Sequence, residues 1–125
     1  MKVLYISGPY RGKDGWTTEQ NIREAEALAL EVWALGIVAL CPHTMTRFYQ
    51  DGTLPDHLFL RGDLELMTRS DGVLLSPRWQ QSVGARIEMR WAKEKGLPVF
   101  VSVGEVEQTW GSERAGPQVS LPLPS

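Results

Sequence analysis

Apolar residues in this chain fall into short runs that alternate with stretches of helical spacing. Residues 2–7 contain the run Val-Leu-Tyr-Ile and stop at Gly8-Pro9, a pair that interrupts regular structure, so a short buried strand is predicted. Ile22, Ala25, Ala29, Val32 and Trp33 then recur at helical intervals, with Arg23, Glu24, Glu26 and Glu31 on other faces. Thr17 and Gln20 have capping-box spacing at the start of this predicted helix, and Gly36 ends it. Residues 37–40 read as a second strand closed by Pro42, and the polar, aromatic stretch to Pro55 reads as a long loop of the kind that covers a site. From Asp56 the leucines and Met67 predict a second helix, and residues 72–75 a third strand, followed by a loop with Pro77 and Trp79. A third helix starts near Ser82 and runs to Lys93 and Lys95, whose charges suit a C-terminal turn before Gly96. Residues 98–103 read as a fourth strand and residues 104–110 as a short helix.

Strands that are continuously apolar and alternate with helices predict a parallel sheet covered on both faces. The expected fold is therefore α/β: a single-domain Rossmann-like (flavodoxin-like) sheet of four to five strands over residues 1–110. Residues 111–125, with Pro117, Pro122 and Pro124, read as a tail without a fold of its own. Ligands of such sheets bind beyond the carboxyl ends of the strands, which directs attention to residues 7–13, 41–45, 76–82 and whatever follows Val103.

Composition narrows the chemistry. At 125 residues one domain fits and a second does not, and a net charge of −2 without a long basic run argues against a polymeric nucleic acid or an anionic membrane as partner. No apolar run approaches the roughly 20 residues that span a bilayer, and Met1 leads almost directly into a strand, so a soluble cytoplasmic protein is expected. Cys41 is the single cysteine and His43 and His57 the only imidazoles, too few soft ligands for a zinc site, so no metal or cofactor is expected. Gly8 to Lys13 is one residue short of a P-loop and is followed by Asp14 where a magnesium-binding hydroxyl is needed; GxGxxG, GxSxG and HExxH are absent.

Two carboxylates remain. Glu88 has Gly84, Ala85, Trp91 and Ala92 one turn away, and Asp63 has Phe59, Leu60, Leu66 and Met67, so neither meets a cation on its own helix. Glu65, between Arg61 and Arg69, is by contrast an ordinary solvated-face residue. Glu88 and Asp63 fit rim carboxylates, partners of a sequence-distant arginine, or a catalytic pair in which desolvation keeps a proton on one while the other stays ionised. Ser82 is a helix cap, and Gly84 and Ala85 leave that helix N-terminus open to an anion such as phosphate. Arg11, between Gly8 and Gly12, is a second anion candidate.

Tyr5-Ile6-Ser7-Gly8-Pro9, Asn21, Asp63-Leu64-Glu65-Leu66, Ser70-Asp71-Gly72-Val73, Ser82-Val83-Gly84-Ala85-Arg86-Ile87-Glu88 and Gly96-Leu97-Pro98-Val99, in this order and spacing, resemble the nucleoside 2-deoxyribosyltransferase-like superfamily. The likeness runs over about residues 2–103 and is strongest to its small bacterial and phage branch, which carries W-x-x-S-x-GA-x-x-E where this chain has Trp79 to Glu88. The resemblance implies cleavage of the N-glycosidic bond of a (deoxy)nucleoside or its 5′-monophosphate, with Glu88 as nucleophile, Asp63 as acid/base or base-holding group and Tyr5 positioning Glu88. Transferases of the superfamily usually carry an Asp at the position of Ser82, whereas the nucleotide hydrolases, similar to 2′-deoxynucleoside 5′-monophosphate N-glycosidases, carry Ser there and an Arg matching Arg11. Pro9 stands where those hydrolases commonly have a phosphate-binding Ser. The expected activity is thus hydrolysis of a nucleoside 5′-monophosphate, with Ser7, Gly8, Arg11, Ser82, Gly84, Trp79 and His43 as substrate-binding residues. Transfer of the sugar to a second base, and a non-catalytic nucleotide-binding module, are the alternatives. Trp79, Trp16 and Tyr10 fit either stacking on a base or covering the sheet edge. So small a domain leaves a shallow pocket, which favours a homodimer or higher homo-oligomer.

Overall fold

The computed structural model describes residues 1–111. Its elements in chain order are β1 (Val3–Ser7), α1 (Gly15–Ala34), β2 (Val38–Leu40), α2 (Pro42–Met45), α3 (Asp56–Thr68), β3 (Gly72–Leu75), a 3-10 turn (Trp79–Gln81), α4 (Val83–Glu94), β4 (Val99–Phe100) and α5 (Val103–Trp110). The four strands form one parallel sheet in the order β2-β1-β3-β4. This is the predicted Rossmann-like α/β architecture. The tail at 112–125 lies outside the described residues.

Alternation along β1 divides the core. Leu4 and Ile6 face the layer built by α1 and α5, where they meet Ala25, Val32, Phe100 and Val106. Tyr5 faces the opposite layer, formed with Met67 of α3 and Ala92 of α4. Ser7, two residues on, shares that face and is likewise buried. Because the order of strands reverses between β1 and β3, their carboxyl ends open the crevice in which ligands of this architecture bind.

Several local expectations are revised. Asp14, not Thr17, caps α1: its carboxylate accepts from the Thr17 N–H at 2.7 Å, so the helix starts earlier and Thr17 lies inside the first turn. Trp33, expected on the buried stripe of α1, is 51% exposed. The stretch after Pro42 is not all loop but begins with the single turn of α2. The fourth strand is only Val99–Phe100, because Ser102 accepts from the Glu105 N–H at 3.1 Å and starts α5 at Val103. Gly36 and Gly96 end α1 and α4 with φ of 79° and 72°, the left-handed conformation that a side chain disfavours. No helix among the described residues is long and apolar enough to cross a membrane.

Candidate active site

A cavity of about 550 Å³ opens at the carboxyl ends of β1 and β3. Tyr5 and Glu88 are among its buried lining residues, with α3 forming one wall and the first turn of α4 another. Glu88 is 7% exposed, and two hydroxyls from β1 hold its carboxylate. The Tyr5 hydroxyl donates to Oε2, and the Ser7 hydroxyl donates to Oε1 at 3.0 Å. The period-two geometry of a strand is what allows residues 5 and 7 to reach the same side chain. No Lys or Arg among the described residues forms an ion pair with Glu88 or Asp63. The partner-arginine reading of both carboxylates is thereby excluded within that set.

Burial pushes the Glu88 carboxyl up from the usual 4.5 to about 7; Asp63 pushes the same way, while the Tyr5 and Ser7 hydroxyls oppose the shift. Burial also raises Asp63, from 3.8 to about 6. Tyr5 is driven well above the ordinary phenol value, first by burial and then by the negative charges of Glu88 and Asp63, so it remains a hydroxyl donor. Both carboxyls are thus held above their ordinary values, each chiefly by burial.

The open end of α4 is as expected: the Ser82 hydroxyl accepts from the Ala85 N–H at 3.1 Å, and Ser82, Gly84 and Ala85 line the cavity. A Cβ built on Gly84 would have only the Ser82 hydroxyl within reach, at 3.8 Å, so this turn is unobstructed. Gly8 and His43 also line the cavity. The His43 Nε2 lies 2.8 Å from the Pro9 carbonyl and, since a carbonyl only accepts, must be the donor. Its Nδ1 is buried without a hydrogen-bond partner among the described residues, and burial lowers the imidazole pKa, which keeps the ring neutral. Arg11 lines the cavity too, but its guanidinium is engaged by Asp56.

Two residues expected to bind substrate do not line the cavity. Ser7 is 1% exposed and its hydroxyl is spent on Glu88. Trp79 packs against the core cluster of Tyr5 and Met67 and does not line the cavity, so it covers the sheet instead of stacking on a base. Trp16 is 59% exposed beneath Arg23, also away from the cavity. Tyr10 alone of the three candidate aromatics lines it.

The sequence reading missed Asp56, Phe59 and Leu60, which line the cavity with Asp63. The signal was present, because residues 56, 59, 60 and 63 share one face of a helix once Asp63 is placed in a site. Gln50, His57 and Gln81 also line it and carried no comparable pattern. Among the described residues no cluster of three His, Cys, Asp or Glu could hold a metal ion.

No curated protein matches the chain. A family model described as a domain of unknown function (DUF4406) matches residues 2–101, and the chain belongs to that family.

Proposed function

We propose that this protein is an N-glycosidase that hydrolyses the base–sugar bond of a (deoxy)nucleoside 5′-monophosphate. The observation that carries the reading is the buried Glu88 carboxylate, facing a ligand-sized cavity beside Asp63 and oriented by two hydroxyl donors, with no cation paired to it among the described residues. An arginine partner would hold Glu88 as a static anion; hydroxyl donors leave it able to form a bond. Ionised Glu88 attacks the anomeric carbon, the carbon–nitrogen bond breaks, and its electron pair leaves with the base, which takes a proton from Asp63. Water, deprotonated by Asp63, then displaces Glu88 and releases the sugar phosphate. Tyr5 and Ser7 favour the ionised Glu88 that the first step requires and oppose part of the burial effect that holds its proton. The unobstructed first turn of α4 suits the 5′-phosphate.

Incubation with a panel of nucleosides and nucleotides, followed by chromatography, is the test. Free base is expected, and none from Glu88→Gln. Release that persists in that variant overturns the role of Glu88, while tight nucleotide binding without release in the wild type favours a non-catalytic module. One observation favours a nucleoside over a monophosphate, and hence the sugar-transfer reading: the guanidinium at the cavity is already paired with Asp56. Transfer would show as a new nucleoside when a second free base is added. A homo-oligomer that helps to cover the cavity is also part of the proposal, and sedimentation measures it directly.

A further inference from the structure

Arg11 is the only Lys or Arg lining the cavity among the described residues, yet the protein itself occupies it. Its Nε and Nη2 donate to the two carboxylate oxygens of Asp56 at 2.9 and 2.8 Å, and Nη2 also donates to the Gln50 carbonyl at 3.2 Å. Three parts of the wall meet in these bonds: the loop after β1, the segment between α2 and α3, and the first residue of α3. Of the five guanidinium N–H donors, the two on Nη1 are not used in them.

The charge consequence follows directly. A free Arg11 would offer an anion one positive charge and a planar fork of donors; Arg11 clasped by Asp56 offers a neutral pair and a carboxylate that repels the same anion. Asp56 is well placed to persist there, since a carboxylate in the first turn of α3 also faces the positive end of that helix. Both side chains are partly exposed, at 46% and 60%, so solvent screens the pair and a ligand can compete for it.

We propose that Asp56 is a specificity-determining residue of this site, which by occupying Arg11 weakens the hold on a ligand's anionic end and sets the balance between a nucleoside and its 5′-monophosphate. The inference rests on the nucleotide reading above and deepens it. Asp56 is not a catalytic residue in this account, since it reaches the ligand through Arg11.

The test is calorimetric titration of the wild type, Asp56→Asn and Asp56→Ala with inorganic phosphate, a nucleoside and the matching 5′-monophosphate at one salt concentration. Both variants are expected to bind phosphate and the monophosphate about three- to fivefold more tightly, the upper part of the range of an exposed ion pair, with the nucleoside changed by less than about twofold. Weaker monophosphate binding in the variants would mean that Asp56 holds Arg11 ready for phosphate, and would overturn the proposal. So would equal changes for nucleoside and monophosphate. If no protein of the three binds nucleoside or nucleotide, the nucleotide reading fails; the phosphate titration still decides the role of Asp56, with unchanged affinity overturning it and tightening supporting it for an anionic ligand of another class.

Discussion

The Tyr5 hydroxyl donates a hydrogen bond to Glu88 Oε2, joining the middle of β1 to the middle of α4. Removing that donor while keeping the ring isolates what it does for the carboxylate. In Tyr5→Phe the Glu88 pKa should rise further above its value of about 7, because one of the two hydroxyls that favour the anion is gone. Hydrogen bonds to charged groups are worth about 1.5 to 3 kcal/mol, so base release near neutral pH should fall by about ten- to a hundredfold. An NMR titration of the Glu88 side-chain carboxyl should show the rise directly, while the rate is not rescued at alkaline pH, where Asp63 no longer holds the proton the base takes. The same rate loss with an unchanged Glu88 pKa would assign Tyr5 to the substrate instead of to Glu88.

The same buried carboxyl makes stability depend on pH in a defined direction. With Glu88 raised from 4.5 to about 7, the native chain binds a proton more tightly than the unfolded one. The stabilisation is full below pH 4.5 and is lost as the pH rises through 7. Glu88→Gln has no such proton to lose; its amide oxygen accepts from one β1 hydroxyl and its NH2 donates to the oxygen of the other. Urea unfolding at pH 4 and pH 8 should therefore show the variant gaining about 3 kcal/mol on the wild type between the two. Parallel stability curves for the two proteins would show that Glu88 ionises normally in the fold.

Those predictions turn on Glu88, a residue that the sequence alone singles out, and the reason is physical. A carboxylate with only apolar or small residues one turn away on its own helix has to be explained by something else, which singled out Glu88 and Asp63. The parallel sheet and the helix layers on its two faces followed from runs too apolar for a one-sided sheet. What stayed illegible depends on approach between distant segments. Ser7 and Trp79 fall in the strand-end segments where a ligand is expected, but sequence position does not tell which way a side chain points across a sheet. Nor does it reveal that Arg11 would find Asp56, 45 residues away, since loop closure over that distance leaves no local pattern. The early start of α1 at Asp14 was readable in principle, because Asp is as good a cap as Thr.

Asn21 ties two loops of the site together. It is buried, its amide nitrogen donates to the Tyr10 carbonyl at 3.1 Å, and its amide oxygen accepts from Arg78 at 3.0 Å. Arg78 also reaches Glu24 at 2.9 Å. Asn21→Ala strands the Tyr10 carbonyl and should cost about 1 to 3 kcal/mol of stability, measured by urea unfolding. Asn21→Asp keeps the acceptor for Arg78 but sets a carboxylate against the Tyr10 carbonyl, so Tyr10 should be displaced while Arg78 stays. Ligand affinity should then fall in both variants with kcat less affected, because Tyr10 lines the cavity and the Glu88 clasp is untouched. A fall in kcat at unchanged affinity would contradict this division.

Gly8 and Ser76 follow β1 and β3 at the point where the crevice opens, and the Ser76 N–H still donates to the Ser7 carbonyl there at 2.8 Å. The approach is so close that a Cβ on Gly8 would lie 2.0 Å from the Ser76 Oγ and 2.8 Å from its Cβ. Gly8 is thus required for space. Gly8→Ala should destabilise the protein by about 1 to 3 kcal/mol through overpacking. The Ser76 hydroxyl itself is buried without a partner among the described residues, so Ser76→Ala should be neutral or stabilising by up to about 1 kcal/mol. The two effects couple: adding Ser76→Ala to Gly8→Ala removes the closer clash but leaves the one with Cβ, whereas Ser76→Gly removes both. Urea midpoints should therefore rise from Gly8→Ala alone, to the pair with Ser76→Ala, to the pair with Ser76→Gly. Strict additivity of the single changes would place the cost of Gly8→Ala somewhere other than this contact.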